Sequence, residues 1–337
     1  MSTIKKRLFA VFSLSLVLPL MFLSCAPTPK IPVAGQARGQ DMLTLLPADT
    51  SAFMVADWNR LMNLKAVQKT IEEEKELAAY RKKAESFVNL TRDVFLVAVA
   101  VAGDMTKPAE NAVLLVNLKY DRSKLIPAES QQESSLEYHE GIPFFPFIEI
   151  EESAVGCLAF LDDSNLAIGS EKAVKKIIEV YKGKVPNLLA SKEKRPYLKD
   201  INMNSLTFGW LSVPAGLFKA EGGDNPAFKL MEKVRYVSSF TDYRQPSYTA
   251  EIKVYADSRD SHQKIAETLS GLKALGLGLG GEAPEIGQAL NSLEITSSER
   301  YVKLYLSLKE DLIDGLKKII RERMVGDRLV QKEKTRP

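Results

Sequence analysis

Histidine is nearly missing from this chain, with two in 337 residues. A Ser-His-Asp or Cys-His catalytic engine would have to use one of them. His139 lies in a polar loop beside Glu137 and Glu140, and His262 falls in the first turn of a helix, so a solvated residue and a helix-end residue are the ordinary readings. Cysteine is as scarce, at two. That excludes a disulfide framework and, with so few histidines, argues against a zinc centre. Charge of one sign is lacking too. Forty-six basic residues stand against 43 acidic ones, which leaves no general basic excess for nucleic acid to neutralise. The single long apolar run, Leu8 to Leu23, is too short for a comfortable membrane span. What remains, 45% hydrophobic and 26% charged, can build a sizeable core and is neither disordered, collagen-like nor polytopic.

The apolar run follows Lys5, Lys6 and Arg7, the arrangement of a secretory signal peptide over residues 1–24. It ends in Met21-Phe22-Leu23-Ser24-Cys25, which resembles the bacterial lipobox. Phe22 and Leu23 depart from its commonest form, where Leu and a smaller residue stand. The resemblance implies cleavage before Cys25, diacylglycerol on its thiol, and a membrane held through that anchor. Loss of the three leading bases levels the basic and acidic counts. By the same resemblance Ala26, in place of the Asp that retains proteobacterial lipoproteins at the inner membrane, implies the outer membrane, facing the periplasm. Residues 25–41, with Pro27, Pro29, Pro32, Gly35 and Gly39, read as a tether reaching ~50 Å at ~3.3 Å per residue.

Periodicity divides the rest into an N-terminal half (42–200), a C-terminal half (201–325) and a basic tail (326–337). The first half reads as a strand at 52–56, a helix over 61–90, strands at 94–102, 112–118, 144–150, 154–161 and 166–168, and a helix from Ser170 with Ala173, Val174, Ile177 and Ile178 on one face. The second repeats the order: a strand at 206–211, helix, strands at 234–240 and 248–256, a helix opened by Asp260 and Gln263 in a capping-box variant, strands at 293–296 and 301–308, and an amphipathic helix at 310–324. Short links favour antiparallel pairing. The fold class is therefore α+β, two similar halves of antiparallel sheet with flanking amphipathic helices. Leu45 to Trp58 and Leu158 to Glu179 resemble segments of secreted bacterial proteins grouped as a family of unknown function; this implies a two-part α+β body and assigns no catalytic residue.

Chemistry-bearing patterns mostly have plain readings. Cys157 sits in a strand apolar on both faces, which makes it a buried thiol rather than a nucleophile. Glu72 to Glu76 reads as a solvated helix face. Gly276-Leu277-Gly278-Leu279-Gly280-Gly281 matches G-x-G-x-x-G in letters but follows a helix instead of a strand, so a helix stop and loop are expected. From Lys317 onward eight bases face three acids, fit for anionic headgroups or simply a solvated end. Gly141 to Phe147 is the densest aromatic cluster. Phe144, Phe145 and Phe147 form either a binding lip for a partner or acyl chain, or an edge strand packed inward. Three functions follow: an envelope lipoprotein without catalysis that binds or scaffolds another envelope component; a carrier of a lipid or other apolar molecule in a cavity under the sheet, gated near Phe144–Phe147; or a carboxylate-based hydrolase with no pair to nominate. No cofactor is expected.

Overall fold

A computed structural model describes residues 31–125, 136–151, 154–216, 226–279 and 284–319. Strand β1 (Ala52–Asp57) is followed by three helices, α1 (Trp58–Met62), α2 (Lys65–Glu73) and α3 (Lys75–Glu85). Then come β2 (Val94–Val101), β3 (Ala112–Leu118), β4 (Glu137–His139), β5 (Ile142–Glu151), β6 (Ala154–Phe160), β7 (Asn165–Ser170) and α4 (Glu171–Tyr181). The second half holds β8 (Thr207–Ser212), β9 (Val234–Arg244), β10 (Ser247–Ala256), α5 (Arg259–Leu279), α6 (Pro284–Ser292), β11 (Leu293–Ser297), β12 (Val302–Lys309) and α7 (310–319).

All twelve strands join one antiparallel sheet in the order β11-β12-β10-β9-β8-β1-β2-β3-β7-β6-β5-β4. Outward from its centre the two halves are wired alike. One runs β1-β2-β3-β7-β6 and ends in α4; the other runs β8-β9-β10-β12-β11 and ends in α7. Their first strands pair with each other, Ala52 opposite Leu211 and Val55 opposite Phe208. The halves differ in what they add. The first appends the β4–β5 hairpin at its edge, and the second inserts α5 and α6 between β10 and β11.

Alternation along each strand sorts side chains onto two faces. One face carries Phe53, Val55, Leu96, Ala98, Val113, Leu115, Phe208 and Trp210, covered by α4 through Val174, Ile177 and Ile178 and by Met42, Leu43, Leu46 and Leu188. Ser170 caps α4, its Oγ accepting the Ala173 N–H at 3.2 Å, as the sequence predicts. Among the described residues, the opposite face is closed only at its ends. Phe145, Leu158, Phe160 and Leu166 pack under Trp58, Val88 and Leu90 at one end, and Val234, Ile265 and Val302 pack together at the other.

Four expectations are corrected. The chain joins the body at Pro32 rather than residue 42: the side-chain amides of Asn117 and Asn165 donate to the Pro32 carbonyl, and Met42, Leu43, Leu45 and Leu46 are core residues. The helix expected over 61–90 is three helices, broken at Asn63–Leu64 and at Glu74, whose backbone is extended (φ −96°, ψ 102°). The cap of α5 is Ser258, whose Oγ accepts the Ser261 N–H at 3.2 Å, while Gln263 bonds Glu267 one turn on. Finally, α5 runs through Gly276 and Gly278 instead of stopping before them. A Cβ at Gly276 would lie 2.9 Å from Leu290 Cδ1, the end of a side chain that can move aside.

Candidate functional site: an apolar groove on the open face

No described residue roofs the centre of the second face. Across it, residues paired strand to strand form one continuous row: Leu114, Val99, Met54, Gly209, Ser239, Ile252 and Leu304. Its midpoint is bare, with Met54 57% and Val99 53% exposed, against 0% for Val55 on the other face.

Beside this row, α2 and α7 flank a groove of about 550 Å³. The apolar positions of α2, Leu64, Val67 and Ile71, recur at helical spacing and line it, and Ile313 of α7 lies across from them. Thr241, Ala250, Leu306 and Leu308 of β9, β10 and β12 provide the floor. No residue of α2 is fully buried, because its apolar side faces this groove rather than a packed neighbour. Next to it, a recess of about 660 Å³ is rimmed by Lys65, Lys69, Lys317 and Lys318 and by Glu73, Glu310 and Asp314. Several of these are spoken for. Lys69 approaches Glu73 at 3.9 Å, Lys317 approaches Asp314 at 3.7 Å, and the Tyr243 hydroxyl donates to Glu310. That hydrogen bond to a carboxylate, with some burial, pushes the Tyr243 phenol up to about 12.

The residues singled out from sequence do not meet here. Cys25 lies outside the described residues. Phe144 and Phe145 are interior and point to opposite faces, Phe144 into the core under α4 and Phe145 against Phe160 with ring centroids 6.2 Å apart. They form no lip, since each face of this strand has a core to fill. Phe147 lies in the same strand, with only its backbone described. Cys157 is buried beside Ala159, and burial pushes its thiol up to about 11, the reverse of nucleophile activation. His139 Nε2 lies 3.1 Å from a Glu179 oxygen in a part-buried surface pair. His262 is interior, its Nε2 accepting the Ala256 N–H at 2.9 Å, and burial lowers its pKa. Of the glycine-rich run, Gly276 to Leu279 lie in α5, with a helix rather than a strand before them, and Gly280 and Gly281 lie outside the described residues.

Among the described residues, the carboxyls with shifted ionisation all move the same way. Asp93, Glu110, Glu140, Asp104 and Asp257 are held low by hydrogen bonds from Arg92, Lys172, Lys184, the Thr106 N–H and Ser261 in turn. A general acid working near neutrality needs the opposite shift. Sequence reasoning missed the groove. Its only trace was the 64/67/71 spacing, which looked like an ordinary core face.

No protein-family model matches the chain, and no curated protein does. Among solved structures, crystal form III of TP0453 aligns at 9% identity and TM-score 0.47 over 79% of this chain and 93% of that one. Crystal form I of the same protein aligns at 10% and 0.44, covering 82% and 96%. A likeness of this size carries nothing of that protein's role to this chain.

Proposed function

We propose that this protein is a lipid-anchored component of a bacterial envelope, without catalysis of its own, that binds another envelope component in the groove between α2 and α7. The groove carries this reading: its exposed lining is almost wholly apolar, it lies along a sheet face whose centre no described residue roofs, and its size is that of a specific site. The lipobox at Cys25 accounts for where such a partner is met. The lowered carboxyls weigh against the hydrolase reading. A carrier of an apolar small molecule is the second reading. It is favoured by the recess beside the groove, where lysines could meet the polar end of a bound amphiphile.

The test is purification of the full lipidated chain from its native envelope, with mass spectrometry of co-purifying proteins and lipids. It is set beside Ala250→Trp, which fills the groove floor. A component present with the parent and lost from the variant, at unchanged melting temperature, supports the groove, and its chemistry separates protein partner from lipid. The same components at the same yield from both would overturn it.

A further inference from the structure

The early entry of the chain into the body shortens the leash between anchor and fold. Pro32 is fixed: its carbonyl accepts from the Asn165 side chain at 2.6 Å and from Asn117 at 3.4 Å, and both amides are buried. Asn117 and Asn165 also bond each other at 3.0 Å, and Asn165 is held by Asp162 at 2.9 Å. Immediately after Pro32, the Val33 carbonyl accepts the Gln36 and Ala37 N–H groups, and Gly35 lies against the Phe95 ring. Between Cys25 and Pro32 there are seven peptide links. Whatever their conformation, they span at most about 25 Å. That is half the reach of a tether that would run to residue 41, and about the length of β3, seven residues at ~3.4 Å each.

We infer that the folded body is held against the bilayer in one orientation, with the sheet end made by the start of β2, the end of β3 and the β6–β7 turn facing the lipid surface. This rests on lipidation at Cys25. The occupant of that end is the phospholipid surface itself, because the chain outside the body begins there and is too short to let the body turn round. Charge is not what holds it. The chain flanking the start of β2, the end of β3 and the β6–β7 turn carries Lys119, Arg92 and Arg122, but also Asp93, Asp121, Asp162 and Asp163, a near balance with no excess for anionic headgroups. Facing should therefore persist at high salt and in vesicles of purely zwitterionic lipid. The opposite sheet end, with the β2–β3 connection at Asp104 to Lys107, faces away.

The buried, unreactive Cys157 permits a direct measurement, since an introduced surface cysteine can be labelled alone in the native protein. Asp163→Cys, near the leash, and Lys107→Cys, at the far end, each receive a fluorophore in the full-length lipidated chain. The chain is reconstituted in phosphatidylcholine vesicles carrying a headgroup quencher. Mass spectrometry of the N-terminal peptide first establishes diacylglycerol on Cys25; its absence would remove the anchor and leave the leash without meaning. With the lipid present, several-fold stronger quenching at position 163 than at 107 is expected. Insertion of twenty Gly/Ser residues before Ile31 should bring the two close to equal. Equal quenching without the insertion, or stronger quenching at 107, overturns the orientation. A difference that survives the insertion also overturns the inference, because an adhesive surface rather than the leash would then be holding the body.

Discussion

At the scale of single residues, the interior of this protein is set by side chains whose roles can be checked one at a time. Phe144 is packed in the core beneath α4. Phe144→Ala should cost ~3–5 kcal/mol, the usual range for a truncated buried aromatic, and lower the denaturation midpoint accordingly. Cys157 should resist a thiol reagent in the native protein and react fully in denaturant. Its raised pKa also fixes a pH dependence. The unfolded thiol ionises near 9 and the folded one near 11, so the unfolded state loses its proton first. The stabilisation is complete below pH 9 and falls away as pH rises to 11. Chemical denaturation of Cys157→Ala across that interval should show a shallower alkaline decline than the parent. The burial of Cys157 was legible in the sequence, since an uninterrupted apolar strand has no solvent side. The inward packing of both Phe144 and Phe145 was not, because alternation sends them to opposite faces and nothing local says that each face has a core.

Between residue and fold, the elements show where pattern reading succeeds and where it fails. The strand expected at 112–118 and the Ser170 cap stand where the alternation and the hydroxyl place them. The breaks in the 61–90 helix were hidden because glutamate is a good helix former, and nothing in its propensity announces the extended backbone at Glu74. The cap of α5 was misplaced because Ser258 and Asp260 are both competent caps. Ser258→Ala should lower stability by ~1 kcal/mol, which thermal denaturation would read, and Asp260→Ala by less. The approach of β3 to β7 depends on Gly169: a Cβ there would stand 2.4 Å from the Ala112 carbonyl oxygen, an atom of the backbone itself. Gly169→Ala should therefore destabilise by about 1–3 kcal/mol or more, whereas Gly276→Ala, meeting only the end of the Leu290 side chain, should be close to neutral. A pair of melting curves decides both.

Over the whole molecule, the two similar halves were readable as an order of elements, but not their fusion into one sheet. Nothing local in Ala52–Asp57 or Thr207–Ser212 announces that each is the other's neighbour. The groove was hidden for the same reason, since α2 and α7 stand about 240 residues apart in sequence. The join is reinforced by Arg60, whose guanidinium donates to Asp242 at 2.8 Å and to the Asn204 carbonyl at 3.2 Å. A body fused in this way should unfold as a unit. Urea titration followed by far-UV circular dichroism and by tryptophan emission should give coincident single transitions, since Trp58 belongs to the first half and Trp210 to the second. Two separated transitions would mean that each half is stable alone.

The central position of β1 also orders events in time. As the chain emerges from its N-terminus, β1 meets β2 within about 40 residues, yet its other edge waits some 150 residues for β8. Throughout that interval a nascent first half carries the bare edge of Ala52–Asp57, an open template for pairing with a neighbouring chain. Synthesis thus passes through a stage in which aggregation competes with completion, and a holding chaperone would act on this edge, before Thr207–Ser212 arrives to close it.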